Sequence, residues 1–219
     1  MKSIAIGLIV LGTISVYVAI VNRNNKHSSV KQKILKAFYP AIMKMGKTKS
    51  VVLVNQNNTQ PFIDFYSLSF LQIDGTPFSM QQLKGKKVLL VNTASDCGFT
   101  GQYESLEKLY QKHKEKLVII GFPANDFNQQ EKGSNTTIQQ FCQKNYGVSF
   151  PLAEKGVVAK KESQQQVFQW LTEQKKNGWC NQQPSWNFCK YLIDENGVLT
   201  HFFSSAVDPL GKEIENALR

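Results

Sequence analysis

Several things are scarce in this chain, and each scarcity removes a class of function. Its 219 residues hold four cysteines, Cys97, Cys142, Cys180 and Cys189. That is too few for a disulfide-dense scaffold, and they lack the paired spacing of a zinc site. Histidine is as rare, with three residues, and neither His113 nor His201 has sequence neighbours that suggest a metal. No metal and no cofactor is expected. There is also no Cys-x-x-Cys pair, because the third residue after Cys97 is Thr100, which argues against a dithiol exchanger. Residues 1–50 contain no Asp or Glu but nine Lys or Arg. The net charge of +10 therefore belongs to the N-terminus, and the remainder is nearly neutral. Nucleic-acid binding needs a basic patch on the folded domain, so no such partner is expected. No internal repeat is visible.

The length suits one domain plus an appendage, since domains commonly run about 100–150 residues. Ile4 to Val21 carries no charge over 18 residues, and at ~1.5 Å per residue it spans about 27 Å, near the ~30 Å hydrocarbon core of a bilayer. No small-x-small cleavage site follows it. The expectation is a transmembrane anchor or uncleaved signal over 1–24, with localisation at a membrane through residues 4–21. Positive flanks put the domain on the cytoplasmic side, yet such anchors also tether domains outside, so the side stays open. Residues 25–60 read as a basic juxtamembrane segment and linker. Within them Val30, Ile34, Phe38, Ile42 and Met45 recur at helical spacing opposite Lys33, Lys36 and Lys44, broken at Pro40. The segment reads either as lying on headgroups or as a solvated linker. The turn-prone Asn55 to Pro61 marks the boundary of a domain over 61–219.

Lys86 to Tyr110 organises that domain. An apolar strand, Val88 to Val91, runs into a polar turn presenting Cys97, and an amphipathic helix follows with Leu106, Leu109 and Tyr110 on its inner face. Backbone N–H groups and the helix dipole at such a junction favour thiolate, the nucleophilic form. A thiol peroxidase is the working expectation.

The remaining pattern fills in the fold. Phe65 to Ile73 alternates as a strand, Asp74-Gly75 turns, and Thr76 to Met80 returns. Leu117 to Gly121 is a second apolar strand, which makes a parallel βαβ unit with the first. Phe122 to Asn125 then lies beyond a strand end, where open α/β sheets place catalytic groups. Ser134 to Asn145 reads as a helix N-capped by Ser134, and Gln164 to Gln174 as another. Trp186 to Ile193 and Val198 to Phe203 read as strands around Asp194 to Gly197, and Pro209 to Leu218 as a closing helix. The sum is an α/β, thioredoxin-like fold with a mixed central sheet flanked by helices, preceded by the transmembrane segment.

Four blocks in order resemble the glutathione peroxidase family: NTASDCGFTGQY around Cys97, GFPANDFNQQE at 121–131, FCQKNYGVSFP at 141–151 and WNFCKYLID at 186–194. The resemblance covers 65–218. It implies a catalytic group of Cys97, Gln130, Trp186 and Asn187, in which neutral N–H donors stabilise charge without competing for the proton. It implies a peroxidase of the non-selenium, cysteine-dependent kind, reducing hydrogen peroxide and organic or lipid hydroperoxides through a Cys97 sulfenic acid. Cys142 occupies the place of a resolving cysteine, and thioredoxin, or glutathione, would be the reductant. A membrane anchor would enrich lipid hydroperoxides as substrates. The long loop that assembles tetrameric relatives looks absent, since only a short stretch separates Trp170 from Trp186, so the resemblance implies a monomer. Three departures stand out: Ala124 where a cysteine is common, Asp126 where Gln is usual, and Asp96 where many relatives carry Lys. The alternative is a membrane-tethered redox sensor passing oxidation from Cys97 and Cys142 to a partner. Cys189 reads as core and Cys180 as a bystander, with a bridge between them left open.

Overall fold

A computed structural model describes residues 13–20, 29–45 and 50–219. The central sheet has five strands in the order β1-β7-β6-β4-β5: β1 (Val52–Val54), β4 (Lys87–Thr93), β5 (Leu117–Pro123), β6 (Lys190–Ile193) and β7 (Leu199–Phe203). Only β4 and β5 run parallel, in register from Lys87↔Leu117 to Thr93↔Pro123, and the other pairs are antiparallel. A small hairpin, β2 (Ser69–Leu71) with β3 (Pro77–Ser79), turns at Gly75. The helices are α1 (Val30–Met45), α2 (Gln102–His113), α3 (Asn135–Tyr146), α4 (Gln166–Thr172), α5 (Gln174–Asn177) and α6 (Lys212–Ala217).

Period-2 alternation divides the core in two. Val88 and Leu90 of β4 point into one layer with Phe168, Trp170 and Leu171 of α4. Leu89 and Val91 point into the other with Leu106 and Leu109 of α2, Ile138 and Phe141 of α3 and Ile214 of α6. A strand buried on both faces must be apolar throughout, and this is why Val88 to Val91 is continuous. The result is a thioredoxin-like α/β fold with helices on both faces of a mixed sheet.

The expectation of a transmembrane segment, and with it a membrane localisation, is corrected. Among the described residues no helix is long and apolar enough to cross a membrane. Of the anchor read over 4–21, residues 13–20 are helical with Ile14, Val16, Tyr17 and Ile20 exposed, and the rest lies outside the described residues. The preference for lipid hydroperoxides rested on that anchor and loses its support. The stretch read as linker also has structure. β1 is an edge strand on β7, and α1 continues through Pro40. Val30, Ile34 and Phe38 of its apolar stripe are exposed, while the side chains of Ile42 and Met45 lie outside the described residues.

Candidate active site

Three chain segments meet beyond the C-terminal end of β4. The first is the 94–101 turn. Thr100, at the position a second cysteine would take, caps it: the Cys97 N–H donates to Thr100 Oγ1 at 3.0 Å, and that hydroxyl reaches the Cys97 carbonyl at 2.6 Å. The Phe99 N–H then points at Cys97 Sγ at 3.4 Å.

The second segment follows β5. The Asp96 N–H donates to the Gln130 carbonyl at 3.0 Å, and the Glu131 N–H to Asn125 Oδ1 at 2.9 Å, so loop 125–131 is sewn to the cysteine turn. Asn128 and Gln129 hold φ of 49° and 51° immediately before Gln130. Left-handed backbone at side-chain-bearing residues costs on the order of 1 kcal/mol each and concentrates at functional sites. Asp126 has a structural role in this loop. It accepts from Lys161 Nζ at 2.9 Å and from the N–H groups of Val158 and Ala159. Burial alone would raise its carboxyl, but these donors outweigh burial and hold it below the usual range.

The third segment is residues 186–189, which the pattern read as strand. The strand begins only at Lys190, and Phe188 stands at φ 65°, a conformation unusual for a bulky residue. Asn92, buried near the end of β4, enforces it. Its Nδ2 donates to the Trp186 carbonyl at 2.9 Å, its carbonyl accepts from the Phe188 N–H at 2.6 Å, and its Oδ1 accepts from the Cys189 N–H at 2.9 Å. Asn92 was missed from sequence. The signal was a polar residue inside an apolar strand, since a buried amide must find partners.

These segments bring the four predicted residues together. The side chains of Asn187 and Trp186 lie close enough to Cys97 to lower its thiol. Asn187 Nδ2 also donates to Gln130 Oε1 at 2.9 Å, so Gln130 joins the sulfur through Asn187. Trp186 rests against Phe127, ring centres 5.9 Å apart. Cys97 and Asn187 are fully buried. The expectation that local geometry favours thiolate is modified. Burial pushes the Cys97 thiol above its ordinary value. The Phe99 N–H and the Asn187 and Trp186 side chains pull it down, and Asp96 adds to the rise. Cys97 also precedes the first residue of α2 by five positions, which weakens the dipole's reach.

Cys142 is not bonded to Cys97 in the described state. It lies in α3, which Ser134 caps (Thr137 N–H to Oγ, 3.3 Å) and Gly147 ends at φ 66°. It is fully buried, and burial pushes its thiol up to about 12. Cys180 and Cys189 are buried, and all four cysteines are free thiols. No His, Cys, Asp and Glu cluster among the described residues is able to hold a metal.

Glu131 is a second residue missed. It is buried behind Ser95, whose hydroxyl donates to it at 3.1 Å, and burial raises its carboxyl to about 7. The folded chain therefore holds a proton that the unfolded chain releases at the ordinary carboxyl value. That contribution to stability is complete below the ordinary value and disappears as pH rises through about 7. Glu131→Gln should gain on the parent protein by on the order of 2 kcal/mol between pH 5 and pH 8. Denaturant midpoints at the two pH values measure this, and parallel curves would refute it.

Comparison with known proteins accords with this geometry. The family model described as Glutathione peroxidase matches residues 65–172. The glutathione peroxidase-like peroxiredoxin GPX5 of Chlamydomonas reinhardtii is 46% identical over 158 residues, covering 71% of this chain and 96% of its own. Glutathione peroxidase-like peroxiredoxin 2 of Saccharomyces cerevisiae is 45% identical over 157 residues, covering 70% and 96%. Among solved structures, Trgpx in its apo form superposes with a TM-score of 0.56 at 30% identity, covering 72% of this chain and 94% of that one. A DsbF homologue from Corynebacterium diphtheriae also reaches 0.56, over 79% and 95%, but at 14% identity it shares the fold alone. With identity of this level running through nearly the whole length of its relatives, the chain belongs to the glutathione peroxidase family.

Proposed function

We propose that this chain, a thiol peroxidase of that family, reduces hydroperoxides at Cys97 with Gln130, Trp186 and Asn187 as the groups that stabilise charge. The observation that carries the assignment is the gathering of polar groups around one sulfur: the Phe99 N–H points at it, and the Asn187 and Trp186 side chains lower its thiol, with Gln130 bonded behind Asn187. The thiolate attacks the nearer peroxide oxygen. The O–O bond breaks, the sulfur becomes a sulfenic acid, and the leaving alkoxide or hydroxide takes a proton to depart as alcohol or water. Donors fixed before reaction stabilise that leaving charge without reorganisation. The Cys142 thiol then attacks the sulfenic sulfur, expelling water and forming a disulfide. A dithiol reductant returns both cysteines to thiols.

Thioredoxin is the reductant we assign, because an intramolecular disulfide suits a dithiol protein, whereas glutathione acts one thiol at a time. A monomer completes the reading. The test is a coupled assay on the full chain with NADPH. Sustained, peroxide-dependent NADPH consumption is expected with thioredoxin and its reductase, at least about tenfold faster than with glutathione and its reductase. Oxidation that stops after one equivalent with either reductant would overturn the enzyme reading in favour of a sensor.

A further inference from the structure

Helix α1 precedes the 65–172 stretch matched by the family, yet it is docked on the turn that carries Cys97. Lys31 Nζ meets Asp96 Oδ2 at 2.5 Å, and Gln32 Nε2 donates to the Ser95 carbonyl at 3.1 Å. Ala37 is buried. The Tyr39 ring lies so close over Gly101, at the head of α2, that a methyl group there would collide with it. The first turn of α1 also walls a cleft of about 520 Å³ that Asp96, Gln130 and Glu131 line from the other side.

Asp96 is the electrostatic difficulty of this site. A carboxylate one residue from a nucleophilic cysteine disfavours its thiolate, and it is among the influences that raise the Cys97 thiol. Lys31 answers it from 65 positions upstream. We infer that Lys31 is a positioning residue of the peroxidase site: paired with Asp96 through the docked α1 helix, it cancels the carboxylate's field at Cys97. The inference rests on the reading of Cys97 as the peroxide-reactive thiol.

The surroundings leave this task to Lys31. Glu131 lies behind Ser95 and its raised carboxyl faces Lys155. Lys132 lines the cleft but is not in salt-bridge contact with Asp96. The Tyr39 hydroxyl is buried without a hydrogen-bond partner, and burial with the nearby Asp208 carboxylate raises it. The 186–189 loop brings the neutral donors Trp186 and Asn187 to Cys97. Among the described residues, Lys31 is the cation within salt-bridge distance of Asp96. The pair is 63% and 38% exposed at its side chains, so as a surface ion pair it adds little to stability. Its effect lies in the field at a neighbouring buried group, which water screens less well.

The measurement is the pH dependence of Cys97 alkylation by iodoacetamide, read by peptide mass spectrometry on the full chain, beside the rate of Cys97 oxidation by hydrogen peroxide. Lys31→Gln should raise the apparent Cys97 pKa by about half a unit, roughly a threefold loss of thiolate at neutral pH. Asp96→Asn should lower it by a similar amount. The double variant, lacking both charges, should return to the parent profile, and Lys31→Arg should keep it. About 0.5 M salt should shrink the Lys31→Gln shift. An unchanged profile in Lys31→Gln overturns the inference. So does a double variant that keeps the full Lys31→Gln shift, because the helix would then act only by docking. If peroxide fails to oxidise Cys97 in the parent protein, the reading of the site fails instead, whatever Lys31 does.

Discussion

Cys97→Ser removes peroxidase turnover by roughly four orders of magnitude or more while leaving the fold intact. Losing an activated nucleophile typically costs this much or more. The chemistry gives the reason. A serine hydroxyl in the same place would need to ionise far above the working pH, and its oxygen does not accept an oxygen atom from a peroxide as sulfur does. The structure gives the reason for the retained fold. The substitution is nearly isosteric, and the Phe99 N–H that now points at Sγ is able to donate to a hydroxyl. Cys97 is fully buried among Ala94, Tyr103 and Phe188, so the cost is that of one small polar atom with a partner, about 1 kcal/mol. Thermal denaturation within a few degrees of the parent, with no NADPH consumption in the coupled assay, is the expected pair of results. Residual turnover above about 1% would place the reactive thiol elsewhere, and Cys142, with its thiol pushed up to about 12, is the group that would then need explaining.

What could be read from sequence followed the strength of local rules. Val88 to Val91, the helix after Cys97 and the strand from Leu117 were legible because a doubly buried strand must be apolar and a half-buried helix must repeat. The ends of α3 were legible because Ser134 and Gly147 are local capping chemistry. The 186–189 segment was misread for the opposite reason. Trp, Phe and Tyr favour strands, but Asn92, nearly a hundred positions earlier, takes four backbone groups of this segment and forces Phe188 into left-handed backbone. Tertiary hydrogen bonds overrode propensity there. Helix α1 shows a different limit. Its periodic apolar stripe left an amphipathic segment and a solvated linker both open, and the helix that forms docks through Lys31, Gln32 and Ala37. Periodicity states how a helix is patterned; the partner surface, here the Asp96 carboxylate and the bare Gly101, decides which side is used. The four residues around the sulfur came through the resemblance, whereas Glu131 and Asn92 required seeing what a buried polar group touches.

Cys142→Ser should separate the two halves of the reaction. The first hydroperoxide should be reduced at a rate within about threefold of the parent, because Cys142 takes no part in the hydrogen bonds of the Phe99 N–H, Asn187 and Gln130 and Ser fills its place in α3. The sulfenic acid should then persist long enough to be captured by dimedone, and thioredoxin-driven turnover should fall by roughly 10² or more. Undiminished turnover with thioredoxin would remove the resolving role. The parent protein's resolution step carries a second, sharper test. Disulfide formation needs Cα atoms within about 7 Å, and Cys142 sits in a capped helix as a free, fully buried thiol with its proton held up to about 12. If the thiol reacted from that state, its rate would climb about tenfold per pH unit across the whole range to about 12. If α3 first unwinds around Phe141 to Tyr146, the exposed thiol titrates near its ordinary value of about 8.5, and the rate should level off there. We expect the levelling, together with lower hydrogen-exchange protection at 141–146 in oxidised than in reduced protein. The cost of opening that turn is set by the Gly147 cap, whose N–H bonds back to the Cys142 and Gln143 carbonyls at φ 66°. Gly147→Ala, which strains that left-handed end by about 1 kcal/mol, should accordingly speed resolution several-fold while leaving the first chemical step at Cys97 unchanged.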